Sequence, residues 1–351
     1  MSADVRRCGV NLNYWWPVAH ESTIPRSGIQ AARLGTLELV ILRSVPGHFG
    51  VFEDACPHKR VRISRFGVRR KGELVCAYHG WRFDPATGGC TSVGSMPGRP
   101  EKICLRAYPV RTYGGWVWAF PGEPERMERA PFPTVPPAER PETHYRIPME
   151  GIVNCHFSYI TENATDLFHA ELHRAQQPWA NPRLASLERD ARTVHAVYAV
   201  DTPRAAALLF GGKGEKRVHV VYEYPYVRIY EERGAFYLFV VYLPTGPQET
   251  YVHSTFYFPR IIRIEWLSRL LLPIAEPLVT YFLNQGTFRK VFMQDIRAVE
   301  EEQRAYNLRG EDRSLETNPV SHAVRQVIRI QTAGQPSVAE EPRVLHPGRT
   351  R

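Results

Sequence analysis

Cys56-Pro-His58-Lys-Arg and Cys76-Ala-Tyr-His79-Gly-Trp81 are the stretches on which the reading of this chain turns. Each places one thiolate and one imidazole in a short segment, and seventeen residues separate His58 from Cys76. Two sulfurs and two nitrogens are the donor set of a [2Fe–2S] cluster in which thiolates hold one iron and imidazoles the other, a substitution that raises the reduction potential. Zinc accepts the same four donors. Zinc sites, however, usually pair Cys with Cys and His with His. Here each segment carries one of each, with one intervening residue in the first and two in the second. That asymmetry fits a binuclear cluster gripped from two sides.

The chain has 351 residues, 43% of them hydrophobic, which is enough for two domains with a sizeable core and argues against disorder. Of its six cysteines, Cys8, Cys90, Cys104 and Cys155 belong to no motif. They read as reduced thiols of a cytoplasmic protein. Residues 1–20 mix Arg, Asp, Asn and Trp, so a secretory signal is not expected. The net charge is +9, but Lys and Arg are scattered, with only small clusters such as Arg69-Arg70-Lys71. Nucleic-acid binding is not expected from that spread. The basic excess is either an ordinary solvated surface or a landing site for an acidic electron carrier.

Residues 36–53 read as two strands around a Pro46-Gly47 turn, and Gly114 to Phe120 as an aromatic strand, giving a small all-β unit around the two ligand segments. Ala130-Pro-Phe-Pro-Thr-Val-Pro-Pro137 sustains neither helix nor central strand, and sets a boundary between domains at 1–135 and 136–351. Beyond it, residues 154–174 are expected to be helical, 190–258 to form antiparallel strands, and 261–306 to be largely helical. Gly211-Gly-Lys-Gly214 reads as a hairpin turn, and the tail from Gln331 as frayed. The apolar run Leu270–Leu283 has fourteen residues and contains Pro273, Glu276 and Pro277. It is too short for a bilayer, which needs about 20. A buried helix pair or a lid is expected there, with contact at a membrane surface as the alternative.

A second constellation lies in Glu162-Asn-Ala-Thr-Asp166-Leu-Phe-His169-Ala-Glu-Leu-His173. On a continuous helix Asp166, His169 and His173 would share one face. Two His and one carboxylate form the facial triad of non-haem Fe(II), with positions left open for O₂. Asp295 is the candidate third ligand. In Phe288, Phe292, Asp295 and Val299 it is the only polar member of a helical stripe, and a carboxylate on such a face needs a metal or an ion-pair partner. Asp166, one turn before His169, suits orientation of the imidazole better than ligation.

With these segments in hand, the chain resembles the Rieske non-haem iron oxygenases, specifically their catalytic α component, from about residue 14 to 330. Asn13-Tyr-Trp-Trp-Pro-Val-Ala19 is similar to the first strand of the pheophorbide- and sterol-type branches, and Glu302-Gln303 also fits. The resemblance implies an α+β chain: an N-terminal Rieske [2Fe–2S] domain held by Cys56, His58, Cys76 and His79, then a helix-grip catalytic domain. It implies a mononuclear Fe(II) on His169, His173 and Asp295, and a homotrimer in which Asp166 bridges one subunit's cluster to the next subunit's iron. Many members place four residues between the iron His; here there are three. Tyr78 and Trp81 flank the cluster and would tune its potential.

The activity so implied is oxygenation with O₂, either hydroxylation or oxidative demethylation; the aromatic-rich strands and the run at 270–283 point to a bulky hydrophobic substrate, polycyclic or lipid-like. No strand–GxGxxG–helix unit or plant-type ferredoxin run is found. Electrons from NAD(P)H would therefore arrive through a separate reductase or ferredoxin. The competing reading is a Rieske electron-transfer protein. Respiratory members carry an additional Cys in each loop, where this chain has Val61 and Tyr78, and a small Rieske ferredoxin would end near residue 120. The aromatic residues Phe236, Tyr237, Phe239, Tyr242, Phe256, Tyr257 and Phe258 are either sheet core or the lining of an apolar pocket.

Overall fold

The computed structural model describes residues 4–335 apart from 26–27, 46, 96–101, 174–178, 203–213, 261–285 and 287. The runs Leu270–Leu283 and Gly211–Lys213 lie outside the described residues. Eleven short strands come first: β1 (Trp16–His20), β2 (Ile29–Leu34), β3 (Leu37–Val45), β4 (His48–Glu53), β5 (Gly67–Arg70), β6 (Glu73–Cys76), β7 (Arg82–Phe83), β8 (Cys90–Ser92), β9 (Ala107–Tyr108), β10 (Val110–Tyr113) and β11 (Trp116–Ala119). They form three small sheets, ordered β2-β3-β4-β9, β5-β6-β7-β8 and β1-β11-β10. Val40, Leu42, Phe52, Ile63, Leu74 and Phe83 fill the space behind Cys56 and Cys76.

Seven strands follow: β12 (His144–Val153), β13 (Ala180–Arg189), β14 (Thr193–Thr202), β15 (Gly214–Glu223), β16 (Tyr226–Glu231), β17 (Tyr237–Gly246) and β18 (Glu249–Pro259). They make one antiparallel sheet in the order β12-β18-β17-β16-β15-β14-β13. Its two edge strands escape a reading of sequence alone. β12 contains Pro148 and Gly151, and β13 contains Pro182, residues that weaken a strand pattern yet are tolerated where one side of the strand has no ladder to serve. Three helices cover one face: α1 (Phe157–Thr165), α2 (Arg289–Arg309) and α3 (Pro319–Thr332). Helix α2 stops at Gly310, whose φ of 73° is left-handed and whose N–H bonds Tyr306 O. Among the described residues, no helix is long and apolar enough to cross a membrane.

Strand alternation divides the aromatic residues between the two faces of the sheet. Phe239 and Tyr257 pack outward against Trp15, Trp116, Trp118 and Phe120 of the first domain. Tyr242, Phe256 and Phe258 face inward toward the helices, where Phe288 lies 4.7 Å from Phe256 and 5.5 Å from Phe258. The aromatic set is thus sheet core on both faces.

The start of the chain is pinned to the second domain. Arg6 is 4% exposed and donates to both carboxylate oxygens of Glu162 at 2.5 and 3.1 Å and to Ser158 Oγ at 2.7 Å. Its guanidinium sits 3.6 Å above the Tyr159 ring. Arg325 of α3 also donates to Glu162, at 2.8 and 2.9 Å. One carboxylate on α1 therefore holds two cations from opposite ends of the chain.

Candidate metal centres

The two cluster loops are built alike. In the first, Cys56 N donates to Val61 O and Arg60 N to Cys56 O, both at 2.8 Å; in the second, Cys76 N donates to Trp81 O and Gly80 N to Cys76 O, both at 2.8 Å. The fifth residue of each loop is left-handed, Arg60 at φ 59° and Gly80 at φ 73°. Glycine adopts that conformation freely. Arginine does so at a cost of roughly 1–2 kcal/mol, here partly offset by its ion pair with Glu53. This correspondence is invisible in the sequence, because Arg and Gly share no side-chain chemistry.

The loops bring their four donors together. Cys56 and Cys76 are buried and free of disulfides. Burial pushes the Cys56 thiol up to about 11, with the adjacent Cys76 sulfur adding to the shift. The His58 and His79 rings lie 4.4 Å apart, and Trp81 stacks on His58 at 4.7 Å and 3°. His58 Nδ1 is buried without a hydrogen-bond partner. Two juxtaposed buried thiols and an orphaned imidazole nitrogen fit a bound metal cluster, which would hold the sulfurs as thiolates. Tyr78 lies outside them, 57% exposed, with its ring 3.9 Å from that of His79.

The second site departs from the expected helix. Helix α1 ends at Thr165, and Asp166 is its C-cap with φ −93° and ψ 107°. Phe168–His173 forms a separate 3₁₀ segment. Asp166, His169 and His173 thus do not lie on one continuous helical face. The physical reason is local: Asp166 Oδ1 accepts from Phe168 N at 2.7 Å, an Asx-type turn that competes with the helix. Asn318, the N-cap of α3, donates to the same oxygen at 2.9 Å.

The turn nonetheless carries both imidazoles to α2. His169 Nε2 lies 3.6 Å and His173 Nε2 3.0 Å from Asp295 Oδ1, and the ligand atoms of the three residues all fall within 4.8 Å of one another. Asp295 has no Arg partner among the described residues; Asn163 Nδ2 reaches its Oδ1 at 3.3 Å. His173 is 2% exposed, and its Nδ1 lies 2.8 Å from Gln294 Oε1. Burial alone would lower the His173 pKa, but the hydrogen bond and charge of Asp295, with Gln294, outweigh it and raise the value. His169 Nδ1 is buried and unpartnered. Two imidazoles and one carboxylate converging from two elements fit a non-haem iron, whose facial donor set they reproduce.

Within the chain Asp166 makes no hydrogen bond to either imidazole among the described residues. Burial pushes its carboxyl up, opposed by the Phe168 N–H and the charge of His169. Asn163 and Asn318 escape a sequence reading because single amides are unremarkable until the fold brings them to a site. The one available signal was Gln294 directly beside Asp295.

Residues 14–113 match the family model described as Rieske [2Fe-2S] domain. The chain is 28% identical over 323 residues to the 4β-methylsterol monooxygenase of Methylococcus capsulatus, covering 90% of this chain and 86% of that one. It is 33% identical over 163 residues to the phthalate 4,5-dioxygenase oxygenase subunit of Pseudomonas putida, covering 45% of this chain but only 36% of that protein. Its fold is similar to that of dicamba monooxygenase bound to dicamba, with a TM-score of 0.73 at 17% identity over 92% of this chain and 98% of the other.

Proposed function

This chain is a Rieske-type non-haem iron oxygenase, its catalytic component, and from that premise we propose the roles of its residues and the class of its substrate. Cys56, Cys76, His58 and His79 hold the cluster; His169, His173 and Asp295 hold the ferrous ion. When bound, the cluster supplies single electrons and the ferrous ion supplies the seat for O₂. The convergence of His169, His173 and Asp295 in a chain that also carries a Rieske domain is the observation that supports this assignment most directly.

The chain's own residues do the rest. Asn163 and Gln294 hold the iron ligands in place. Trp81 stacks on His58 and fixes its ring. Phe256, Phe258 and Phe288 form an apolar wall, and Phe292 lies one turn from Asp295 on the same helix. Such a wall binds a bulky hydrophobic ring system and excludes water around it. The substrate is a cyclic, sterol-like or polycyclic compound, a reading supported by the named activity of the Methylococcus relative. The outcome is hydroxylation, or demethylation where a methyl group is the one attacked.

The quaternary arrangement is a homotrimer in which the cluster of one subunit serves the iron of the next, with Asp166 between them. Exposed Tyr78 beside the cluster and exposed Phe168, Leu172 and Met293 around the iron ligands support it, since a single chain leaves both apolar patches uncovered. Lys59, Arg65, Arg70 and Lys71 are exposed around the cluster loops without ion pairs among the described residues. They suit an acidic ferredoxin or reductase domain as electron donor, whose reduction rate falls as salt rises. The six free cysteines accord with a cytoplasmic setting.

The test is iron content with O₂ uptake. The parent protein is expected to hold about three irons per chain, two of them in the cluster. His169→Ala should hold about two and lose substrate-stimulated O₂ uptake, with its cluster spectrum intact. An unchanged iron count in that variant would overturn the assignment. Mixing inactive His169→Ala and Cys76→Ser subunits should restore turnover if electrons cross between chains; a mixture that stays inactive after subunit exchange would count against the trimer.

A further inference from the structure

The two histidines at the iron site are held differently. His173 is gripped at both nitrogens by adjacent residues of α2: Gln294 Oε1 at 2.8 Å from Nδ1, and Asp295 Oδ1 at 3.0 Å from Nε2. His169 has no partner at Nδ1. An amide oxygen can only accept, so a hydrogen bond to Gln294 Oε1 requires the proton on Nδ1. Nε2 then presents a lone pair directly to a carboxylate oxygen. Two lone pairs 3.0 Å apart repel unless a cation lies between them, and the cation is either a proton or a metal ion. The amide thereby selects which nitrogen is available.

From this geometry we infer that Gln294 is a positioning residue that fixes the tautomer and ring plane of His173, making His173 a pre-set iron ligand within the single chain. The inference rests on His169, His173 and Asp295 being the iron ligands. Side chains that accept the free N–H of a ligating imidazole hold its orientation and raise its basicity, and removing them typically costs 10–100-fold in metal affinity. Glutamine, being neutral, sets the proton without adding a second negative charge beside Asp295.

The experiment uses ferrous ion and the cluster-loaded full chain. Gln294→Met keeps the length of the side chain and deletes the acceptor, whereas Gln294→Glu keeps an acceptor and adds charge. By competition with a ferrous chelator, Gln294→Met should bind iron about 10–100-fold more weakly. Its EPR spectrum after nitric oxide treatment should broaden, as His173 samples more than one orientation. Gln294→Glu should bind iron at least as tightly as the parent. Parent-like affinity and spectrum in Gln294→Met would overturn the inference, as would affinity in Gln294→Glu as weak as in Gln294→Met. If Gln294→Met loses its cluster spectrum and is misfolded, Gln294→Glu carries the test alone: parent-like or tighter binding supports the inference and weakened binding overturns it. His173→Ala separates the two levels. Iron retained there defeats the ligand assignment itself, whereas iron lost there but kept by Gln294→Met defeats only the role of Gln294.

Discussion

The candidate cluster loops and the candidate iron site would solve the same problem, converging soft or basic donors on a metal, by opposite routes. Each cluster loop closes on itself through two backbone hydrogen bonds, so its Cys and His are placed by six consecutive residues. The iron site joins a turn at 168–173 to the middle of α2, with His173 and Asp295 separated by 122 positions. Its geometry is inherited from α1, α2 and α3, and those helices are in turn locked by the buried contacts of Arg6, Glu162 and Arg325. A local site is expected to tolerate distant damage better than a distributed one.

The first way to break that comparison is to remove one local ligand. Cys76→Ser should abolish the visible and EPR signatures of the cluster entirely while leaving one ferrous ion per chain at the other site. Loss of both centres together would show that the two regions are not independent.

A smaller effect sharpens the other half. Arg6→Met leaves Glu162 paired with Arg325 alone, so the cost falls below the roughly 3–5 kcal/mol of a buried charge left with no partner. Calorimetry should show the catalytic domain melting earlier, with the cluster colour surviving to a higher temperature than that transition.

Acidification should act in the same direction. His156 caps α1, accepting from Ser158 N at Nδ1 and facing Cys8 O at Nε2, and burial pulls its pKa down to about 4. The unfolded chain binds that proton near pH 6.5, so the stability present above this value is lost as pH falls toward 4. The shift corresponds to on the order of 3 kcal/mol. Chemical denaturation at pH 7 and pH 5 should show about 2 kcal/mol of it, and His156→Gln should flatten the difference.

The smallest effect belongs to the local site. Arg60→Gly relieves a left-handed arginine and should stabilise the first loop by about 1 kcal/mol, less whatever the Glu53 ion pair contributes. The readout is the temperature at which the cluster bleaches.

The legibility of each region follows the same division. The meeting of Cys56, His58, Cys76 and His79 was readable because short ligand spacing is itself the structure of a loop. The strands from Thr193 to Pro259 were readable because alternation in the sequence is alternation in space. Edge strands β12 and β13 were not, because an edge permits the prolines that argue against a strand. The break at Asp166 was not, because helical periodicity cannot register an aspartate that prefers its own turn and an asparagine 152 positions away.

The sequence by itself determined the chemistry: which atoms can hold iron, and that two separate sets of them exist. Only the tertiary structure decided that Asp295 meets His169 and His173, that Gln294 lies against the second nitrogen of His173, and that the chain's first residues brace the far domain. Ligand identity is a property of side chains, whereas the approach of residues more than a hundred positions apart depends on the helices and sheet that carry them.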